Sequence, residues 1–294
     1  MNERPARLDV GVVGTGRVGA VLGAALARAG HRVVAGYGVS VTSKTRANAL
    51  LPGVPLVSTE EVLARAGLVL LTVPDDVLPG LVSGLVRTGA VRPGQLIVHT
   101  SGRYGIGVLD EATRAGALPL ALHPAMTFTG TSVDLERLAG AMFGVTAPEP
   151  LWPVAEALVV EMGSDPVRVA EENRVLYHAA LAHGSNHLVT LVADAMDLLR
   201  AADVPEPDKV LAPLLSAALD NVLRSGDAAL TGPVARGDAG TVASHVAEIE
   251  RAAPEALAAY VQLARRTATR ALESGQLKAT DAEALLDALS PPSR

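Results

Sequence analysis

The sequence predicts an α/β domain with a doubly wound parallel sheet, followed by an all-α domain. Up to about residue 169, short apolar runs alternate with segments of helical periodicity, which is typical of βαβ units. The apolar runs are hydrophobic throughout, as expected for strands that helices cover on both faces of a sheet. Beyond residue 169 only helical periodicity remains. We therefore expect two domains, residues 1–169 and 170–294.

The individual elements follow from apolar runs bounded by turn residues. The predicted strands are Asp9–Gly14, Arg32–Ala35, Gly67–Val73, Gln95–Thr100, Pro119–His123, Met142–Thr146 and Pro166–Val169. Helical periodicity marks Arg17–Ala29, Val77–Thr88 and Leu151–Met162. In the second domain, one long helix is predicted from Glu171 to about Ala202, and its apolar residues on all sides indicate a central buried helix. Shorter helices are expected at Pro207–Arg224, Thr241–Ala252, Glu255–Ser274 and Asp281–Leu289.

Composition limits the classes of protein that the chain can belong to. Of its 294 residues, 49% are hydrophobic and 19% are charged, which is sufficient for a sizeable core. The net charge of −6 argues against nucleic acid as a partner. The absence of cysteine excludes disulfides and thiolate metal sites. Charged residues interrupt every long apolar stretch, and no apolar segment precedes the first strand, so we expect a soluble, cytoplasmic protein without a membrane partner.

A glycine-rich turn follows the first predicted strand and opens the first helix. It has the sequence Gly14-Thr15-Gly16-Arg17-Val18-Gly19. In this context the pattern is the dinucleotide-binding motif of a Rossmann fold. The first glycine permits the tight turn, the second lets the backbone approach a pyrophosphate, and the third lets the helix pack on the strand. Free amides at the start of the helix then bind the anion. A similar turn without a ligand is the alternative.

The residues after the second strand indicate which dinucleotide binds. NAD-binding domains usually place an acidic residue about 20 residues beyond the glycines, where it binds the ribose hydroxyls. Here no acidic residue occurs between Asp9 and Glu60. Hydroxyl and basic side chains that could bind a 2′-phosphate follow the strand instead: Ser40, Ser43, Lys44 and Arg46. We therefore predict NADP(H), although the two basic residues are also compatible with a solvated helix face. Val73 and Pro74 end a neighbouring strand and are expected to line the same edge.

Several short motifs resemble those of a known family. They are His99-Thr100-Ser101-Gly102, Leu122-His123-Pro124, Tyr177-His178-Ala179-Ala180, Ser185-Asn186 and Thr231–Asp238. Over nearly its whole length the sequence is similar to bacterial Rossmann-like NADP oxidoreductases with a helical C-terminal domain of unknown function. That family belongs to the 6-phosphogluconate-dehydrogenase-like set, together with pyrroline-5-carboxylate reductases, ketopantoate reductases and prephenate dehydrogenases.

The resemblance implies roles for individual residues. In prephenate dehydrogenases a similar His-Pro pair contacts the substrate hydroxyl, which implies that role for His123, and a serine beside the nicotinamide corresponds to Ser101. Many hydroxyacid dehydrogenases of the set carry a catalytic lysine and asparagine on the first long helix of the second domain. Asn186 matches the asparagine, but the long helix contains no lysine, which puts the lysine-assisted mechanism in doubt. In the related families the helical half often forms the dimer interface, so a homodimer is expected.

Residue chemistry leaves alternatives open at the candidate substrate site. Histidine titrates near neutrality, so His123 suits a proton donor or acceptor, but it could equally cap a backbone carbonyl. Ser101 could contact the substrate or cap the helix that follows. His178 could contact the substrate or be structural.

The arginine guanidinium is always charged and can bind a carboxylate in a bidentate manner, so Arg236 suits a substrate carboxylate. A salt bridge with Asp238 is the alternative. His183 and His187 have the spacing of two metal ligands on a helix, but no third ligand is evident, so no metal is predicted.

Taken together, the motifs predict an NADP(H)-dependent oxidoreductase that acts on a CH–OH or C=N group. The expected substrate is a small carboxylate-bearing 2-oxo or hydroxy acid, with ketopantoate a candidate by family analogy alone. An imine reductase and a deazaflavin-linked NADP reductase are alternative enzymes. An NADP-binding sensor or scaffold without turnover is the alternative from a different class.

Overall fold

The computed structural model describes residues 7–290. Its strands are β1 (Asp9–Val13), β2 (Arg32–Tyr37), β3 (Leu68–Leu71), β4 (Leu96–His99), β5 (Leu118–Pro124), β6 (Met142–Thr146) and β7 (Asp165–Arg168). They form one seven-stranded sheet in the order β2-β1-β3-β4-β5-β6-β7. The first five strands are parallel to one another. Strand β6 runs antiparallel to β5, and β7 runs parallel to β6.

Helices cover both faces of this sheet. They are α1 (Arg17–Arg28), α2 (Val41–Leu50), α3 (Thr59–Arg65), α4 (Leu78–Arg87), α5 (Asp110–Arg114), α6 (Val133–Leu138) and α7 (Trp152–Glu161). Successive strand residues enter two different apolar clusters: Leu70 packs with α1, α6 and α7, whereas its neighbour Leu71 packs with α3, α4 and α5. Since neighbouring side chains of a strand point to opposite faces, the sheet is doubly wound, and the predicted fold class is confirmed.

The sheet differs from the sequence-based prediction at its edge and at its strand ends. The prediction of a parallel sheet is wrong for β6 and β7, which form a reversed edge. Apolar runs predict buried strands, but they carry no information on strand direction. The predicted first strand is one residue too long, because Gly14 has a φ of 102° and leaves the extended conformation.

The second part of the chain is helical. Its helices are α8 (Arg174–Ala201), α9 (Pro207–Ser225), α10 (Pro233–Arg236), α11 (Ala239–Ala252), α12 (Pro254–Glu273) and α13 (Ala279–Ala288). The chain divides into two compact units, Met1–Gly184 and Ser185–Arg294, so the first turns of α8 belong to the unit that contains the sheet. The boundary expected at residue 169 lies one residue beyond the end of the last strand and stays a prediction. No helix among residues 7–290 is long and apolar enough to cross a membrane.

The prediction that the long helix is buried is wrong for the single chain. Helix α8 has 28 residues and measures about 42 Å, but Arg174 is its one buried residue. The core of the second unit lies elsewhere, between α10, α11, α12 and α13, where Val242, Ala268 and Leu285 are fully buried. A helix with apolar residues on all sides is expected to be buried, but its sequence does not show whether the residues that bury it belong to the same chain.

Candidate functional site

The glycine-rich turn between β1 and α1 has the geometry of a phosphate-binding turn. A Cβ on Gly14 would lie 2.6 Å from the carbonyl oxygen of Thr72, and a Cβ on Gly19 would clash with the carbonyl oxygen of Gly14. Around Gly16, by contrast, no atom lies within 4 Å of the position that a Cβ would take. The first and third glycines are therefore required by the packing of the protein itself. The second borders open space that a ligand can fill.

The start of α1 can receive an anion. Its N-cap residue, Gly16, makes no side-chain capping bond, and no acidic residue lies in the first turn. No side chain of this kind therefore caps the amides of that turn. Thr15 shapes the turn from inside: it is fully buried, its amide donates to the Tyr37 carbonyl over 2.9 Å, and its hydroxyl donates to the Ser43 carbonyl over 3.2 Å. Arg17 is exposed, whereas Val18 packs against the core.

The turn between β2 and α2 contains the residues predicted to bind a 2′-phosphate. Ser40 caps α2, because its Oγ accepts a hydrogen bond of 3.0 Å from the Ser43 amide. Ser43 is buried, and its hydroxyl donates to the Ser40 carbonyl over 2.8 Å. Lys44 is exposed, and the first turn of α2 contains no acidic residue. The turn therefore presents a helix N-terminus, the Ser40 hydroxyl and the Lys44 ammonium group on the surface.

Two arginines lie beside the loop around Gly130, which the sequence analysis did not identify. A Cβ on Gly130 would lie 2.5 Å from Nε of Arg46 and 3.0 Å from Cγ of Arg17. Asp134 is fully buried and holds this loop, since its carboxylate accepts bonds of 2.7 Å from the Gly130 amide and 3.0 Å from the Thr129 hydroxyl. The structure thus brings together one arginine from the glycine motif and one from α2. No sequence motif marks the Gly130 loop.

The turn after β3 is joined to the glycine-rich turn. The hydroxyl of Thr72 donates a hydrogen bond of 2.6 Å to the Gly14 carbonyl. The segment that follows contains half-buried Val73 and exposed Pro74, the two residues predicted at this edge. The carboxyl ends of β1 and β3 therefore form one continuous rim, which is where α/β proteins bind ligands.

Buried His99 organises the loop after β4. Its Nδ1 accepts a hydrogen bond of 3.2 Å from the Ser101 amide, so Nε2 carries the proton and donates to the Gly105 carbonyl over 2.8 Å. Burial is the main reason that the pKa of His99 is lowered to about 4. Ser101 is buried, and its Oγ accepts a bond of 3.2 Å from the Tyr104 amide, so the serine caps a turn here.

Glu171 holds the other end of this loop and was not predicted. Its two carboxylate oxygens accept bonds of 2.7 Å and 3.0 Å from the amides of Ile106 and Gly107. A Cβ on Gly105 would clash with the same carboxylate. The loop from Ser101 to Gly107 is therefore fixed at both ends, and its glycines permit close approach.

His123 lies at the end of β5 among aromatic and basic side chains of α8. Its Nδ1 is 3.0 Å from the hydroxyl of Tyr177, and the two rings are perpendicular, with centroids 5.6 Å apart. The ring of His178 lies 5.8 Å from that of His123. A Cβ on Gly102 would be 2.9 Å from Nε2 of His123 and 2.6 Å from Cδ2 of His178. The structure thus brings His123, His178 and the Ser101–Gly102 turn together, as predicted for three of the candidate residues.

Arg174 is a buried cation beneath this cluster. Its guanidinium donates to the Thr146 hydroxyl over 2.7 Å and to the carbonyls of Ala121 and Gly144 over 3.0 Å and 3.1 Å. Its Nη1 is buried without a hydrogen-bond partner in the described part of the chain. Burial lowers the pKa of Arg174 to about 10, which still leaves it charged at neutral pH. The site therefore contains a fixed positive charge.

Burial and this positive charge make His123 a neutral imidazole. Burial is the main cause that lowers the pKa of His123 to about 4, and His178, Arg174 and His99 lower it further. The expectation that His123 titrates near neutral pH is therefore wrong, because residue type alone does not reveal burial. Burial also raises the pKa of Tyr177, although Arg174 and the Gly144 amide lower it. At neutral pH both partners of the pair are uncharged.

Comparison with protein families divides the chain into two matched regions. Residues 1–124 match the Rossmann-like domain, and residues 141–267 match the domain of unknown function DUF2520. Each match covers less than half of the chain, and together they cover most of it. His123 is the second-last residue of the Rossmann-like match, whereas Tyr177 and His178 lie in the DUF2520 match. No curated protein matches the sequence significantly.

Solved structures share the fold of this protein. A proposed NADP oxidoreductase from Bacteroides fragilis has a TM-score of 0.73 at 23% identity, over 90% of this chain and 98% of the other. A Thermotoga maritima protein has a TM-score of 0.67 at 20% identity, over 90% and 99% of the two chains. An imine reductase from Myxococcus stipitatus, in complex with NADP+, has a TM-score of 0.66 at 16% identity, over 95% and 98%. At these identities the likeness concerns the fold.

Two predicted site residues belong to the second unit, Ser185–Arg294. Asn186 is exposed on α8. Arg236 forms an exposed ion pair with Asp238, in which Nη2 and Oδ2 are 2.9 Å apart, so the salt bridge that the sequence left open as an alternative is present. His183 and His187 are exposed on α8. Within residues 7–290, no three His, Asp or Glu side chains lie together as metal ligands would.

Proposed function

We propose that this protein is an NADP(H)-dependent oxidoreductase that transfers hydride to or from a small carboxylate-bearing 2-oxo or hydroxy acid. The observation that carries the proposal is the position of the neutral His123–Tyr177 pair at the carboxyl end of β5. The phosphate-binding turn lies at the same edge, since β1 to β5 are parallel. A proton-transferring pair and a dinucleotide turn on one rim are what such a reaction requires.

The residues present fit a nicotinamide dinucleotide with a 2′-phosphate. The open space at Gly16 and the uncapped start of α1 suit a pyrophosphate. The N-terminus of α2, the Ser40 hydroxyl and exposed Lys44 suit the 2′-phosphate, and Arg46 lies two residues beyond Lys44 on the same helix. When bound, the cofactor supplies or accepts the hydride at its nicotinamide ring. Two of the structural neighbours are described in terms of NADP, which is consistent with this choice.

His123 would act as a hydrogen-bond donor rather than as an imidazolium acid. With a pKa of about 4, roughly one molecule in a thousand carries the charged form at pH 7. A neutral imidazole can still polarise a carbonyl by donating an N–H to its oxygen. The Ser101–Gly102 turn lies against the Nε2 side of the His123 ring, so Nε2 would donate to a substrate oxygen near this turn.

The charge of the site favours a carbonyl over an imine substrate. Imine reduction proceeds through a cationic iminium, which Arg174 would repel, whereas an alkoxide that develops from a carbonyl would be attracted. Arg236 remains the proposed clamp for the substrate carboxylate, with Asn186 as a polar contact. An exposed ion pair contributes about 0–1 kcal/mol to stability, so a substrate carboxylate could replace Asp238 as the partner of Arg236. The absence of lysine from α8 leaves the proton-transfer role to the pair at His123.

We also propose that the protein is a homodimer through its helical part. Helices α8 and α9 expose large apolar side chains in the single chain, among them Val189 at 70%, Leu214 at 63% and Leu223 at 78%. Exposed apolar surface of this extent is typical of an interface. Sedimentation equilibrium should give about twice the mass of the chain, and a monomer at micromolar concentration would refute the dimer.

Oxidation of NADPH, followed optically against a panel of substrates, tests the proposed function. The panel contains small 2-oxo acids, cyclic imines and a deazaflavin. Turnover of a 2-oxo acid supports the proposal, and turnover of an imine or deazaflavin alone would replace it with the corresponding alternative. Binding of NADPH without turnover of any member would favour a sensor or scaffold.

A further inference from the structure

We propose that Tyr177 is the positioning residue for His123 and passes its phenolic proton to that imidazole while Nε2 donates to the substrate oxygen. This inference rests on the proposed function and goes further, because it names the second member of the proton path and the tautomer of the first. It depends on three observations: the Tyr177–His123 hydrogen bond, the close approach of both side chains to glycines, and the charge of Arg174.

The hydrogen bond fixes which nitrogen of His123 carries the proton. The Tyr177 hydroxyl lies 3.0 Å from Nδ1 in a part-buried contact, and at this distance Nδ1 can accept the phenolic proton. Neutral imidazole has one acceptor nitrogen and one donor nitrogen. If the hydroxyl donates to Nδ1, the proton of His123 is on Nε2, the nitrogen that faces the Gly102 turn. The opposite tautomer would deprive the phenolic proton of this acceptor.

Two glycines allow the pair to form. Gly144 stands opposite His123 in the β5–β6 ladder, and a Cβ there would lie 2.5 Å from the phenolic oxygen of Tyr177. A Cβ on Gly102 would lie 2.9 Å from Nε2 of His123. Both distances are shorter than real Cβ contacts allow. Gly144 therefore lets the phenol reach Nδ1, and Gly102 leaves the donor nitrogen accessible from the turn.

The proton path balances without a charged histidine. In the reductive direction, NADPH held at the glycine-rich turn would supply the hydride to the carbonyl carbon, and the carbonyl oxygen takes the Nε2 proton. Nδ1 takes the phenolic proton of Tyr177 at the same time, so His123 ends neutral in the other tautomer. The phenolate that remains lies near the Arg174 guanidinium, whose positive charge favours it, and solvent returns one proton. The substrate has then gained one hydride and one proton and become an alcohol.

The first experiment reads the tautomer in the resting protein, without substrate or cofactor. Nitrogen-15 NMR of the imidazoles distinguishes the Nε2–H from the Nδ1–H form, and His123→Gln identifies the signal. We expect wild-type His123 to be neutral from pH 6 to pH 8 with the proton on Nε2. Tyr177→Phe, which retains the ring but removes the hydroxyl, should give a mixture of tautomers. A wild-type Nδ1–H form, or an unchanged tautomer in Tyr177→Phe, would overturn the proposal.

A matched control exists in the second unit. There Nδ1 of His245 lies 2.8 Å from the Tyr260 hydroxyl, in a second histidine–tyrosine pair. Tyr260→Phe should alter the His245 signal and leave that of His123 unchanged. Gly144→Ala provides an independent variant: it retains Tyr177 but displaces the phenol, so it should reproduce the mixed tautomer. Thermal unfolding of each variant shows that the fold is retained.

Kinetics then separate the relay from the proposed function itself. With any substrate that is turned over, Tyr177→Phe should lower kcat roughly 10-fold to 100-fold, below the contribution of a complete acid catalyst, and should leave KM for NADPH unchanged. The solvent deuterium isotope effect on kcat should also change, which a merely structural role would not cause. An altered tautomer with unchanged kcat would refute the relay. If no substrate is found, the proposed oxidoreductase fails while the tautomer measurement still decides the role of Tyr177.

Discussion

The hydroxyl of Thr72, at the end of β3, donates a hydrogen bond of 2.6 Å to the carbonyl oxygen of Gly14, at the end of β1. This bond closes the glycine-rich turn against its neighbouring strand, and it occupies the space that a side chain on Gly19 would need. The three glycines of the motif therefore have different tasks. Two are required by the protein's own contacts, and the third borders the space available to a ligand.

Because the glycines have different roles, replacement by valine is expected to affect ligand binding at one position and stability at another. Gly16→Val should lose NADPH binding, because the branched side chain fills the open space, while the midpoint of thermal unfolding stays within about 2 °C of wild type. Gly19→Val should lose several kcal/mol of stability, because its Cβ meets backbone and the Thr72 hydroxyl. Thermal unfolding and NADPH titration of both variants test this. Normal NADPH binding by Gly16→Val would contradict the assignment of the turn.

We expect NADPH to stabilise the protein more than NADH. A ligand at 100 times its dissociation constant adds about 2.7 kcal/mol to the free energy of unfolding, so the difference should be clear in thermal shifts. Lys44→Glu should reduce or reverse the preference, because a carboxylate at the start of α2 repels the 2′-phosphate and suits ribose hydroxyls. Lys278→Glu, which precedes α13, is the matched control for the charge change. Equal thermal shifts from NADPH and NADH in the wild type would contradict the predicted preference for NADP(H).

The dinucleotide turn could be predicted from the sequence because its chemistry is local. The spacing of Gly14, Gly16 and Gly19, together with the flanking strand and helix, determines the turn within a few residues. The contribution of Ser43 to 2′-phosphate binding stays a prediction, since its side chain is buried and its hydroxyl donates to the Ser40 carbonyl. Sequence pattern identifies such a turn but does not decide which of its hydroxyls faces outward.

The His123–Tyr177 pair could not be predicted in the same way. The two residues are 54 positions apart, and they meet because the start of α8 packs against β5 and β6, where Arg174 binds the Ala121 and Gly144 carbonyls. Neither the reversal of β6 nor this contact leaves a signal in hydrophobic periodicity. The low pKa of His123 likewise depends on burial beside Arg174, a residue in no motif. The family resemblance identified His123, and the structure adds its partner.

The two histidines with low pKa values predict a loss of stability in mild acid. His99 and His123 have a pKa of about 4 in the folded protein, against 6.5 for an ordinary histidine. Below pH 6.5 the unfolded chain therefore binds protons that the folded protein does not, and the free energy of unfolding falls as the pH falls towards 4. The loss for His99 is on the order of 3 kcal/mol across this range.

Urea unfolding at pH 7.5, 6.0 and 5.0 measures this loss. His99→Gln should flatten the pH dependence, because the titrating group is removed while a side-chain amide can still donate to the Gly105 carbonyl. His245→Gln, at an exposed position on α11, is the control and should retain the wild-type slope. A wild-type stability that is constant between pH 7.5 and 5.0 would show that these histidines are not held neutral by the fold.

The final prediction separates the role of His123 from that of Arg236. His123→Ala should lower kcat by about 10² to 10⁴, the usual contribution of a proton-transferring group, and should leave NADPH affinity unchanged, because the phosphate contacts lie on the turns after β1 and β2. Arg236→Ala should mainly raise KM for the acidic substrate, since a carboxylate clamp acts on the ground state and the transition state alike. Arg251→Ala removes a comparable exposed ion pair, with Glu248, and should change neither constant. Steady-state kinetics of the three variants, with NADPH affinity measured separately, test this assignment. Wild-type turnover by His123→Ala would transfer the proton role to another group, with His178 the nearest histidine, at 5.8 Å between ring centroids.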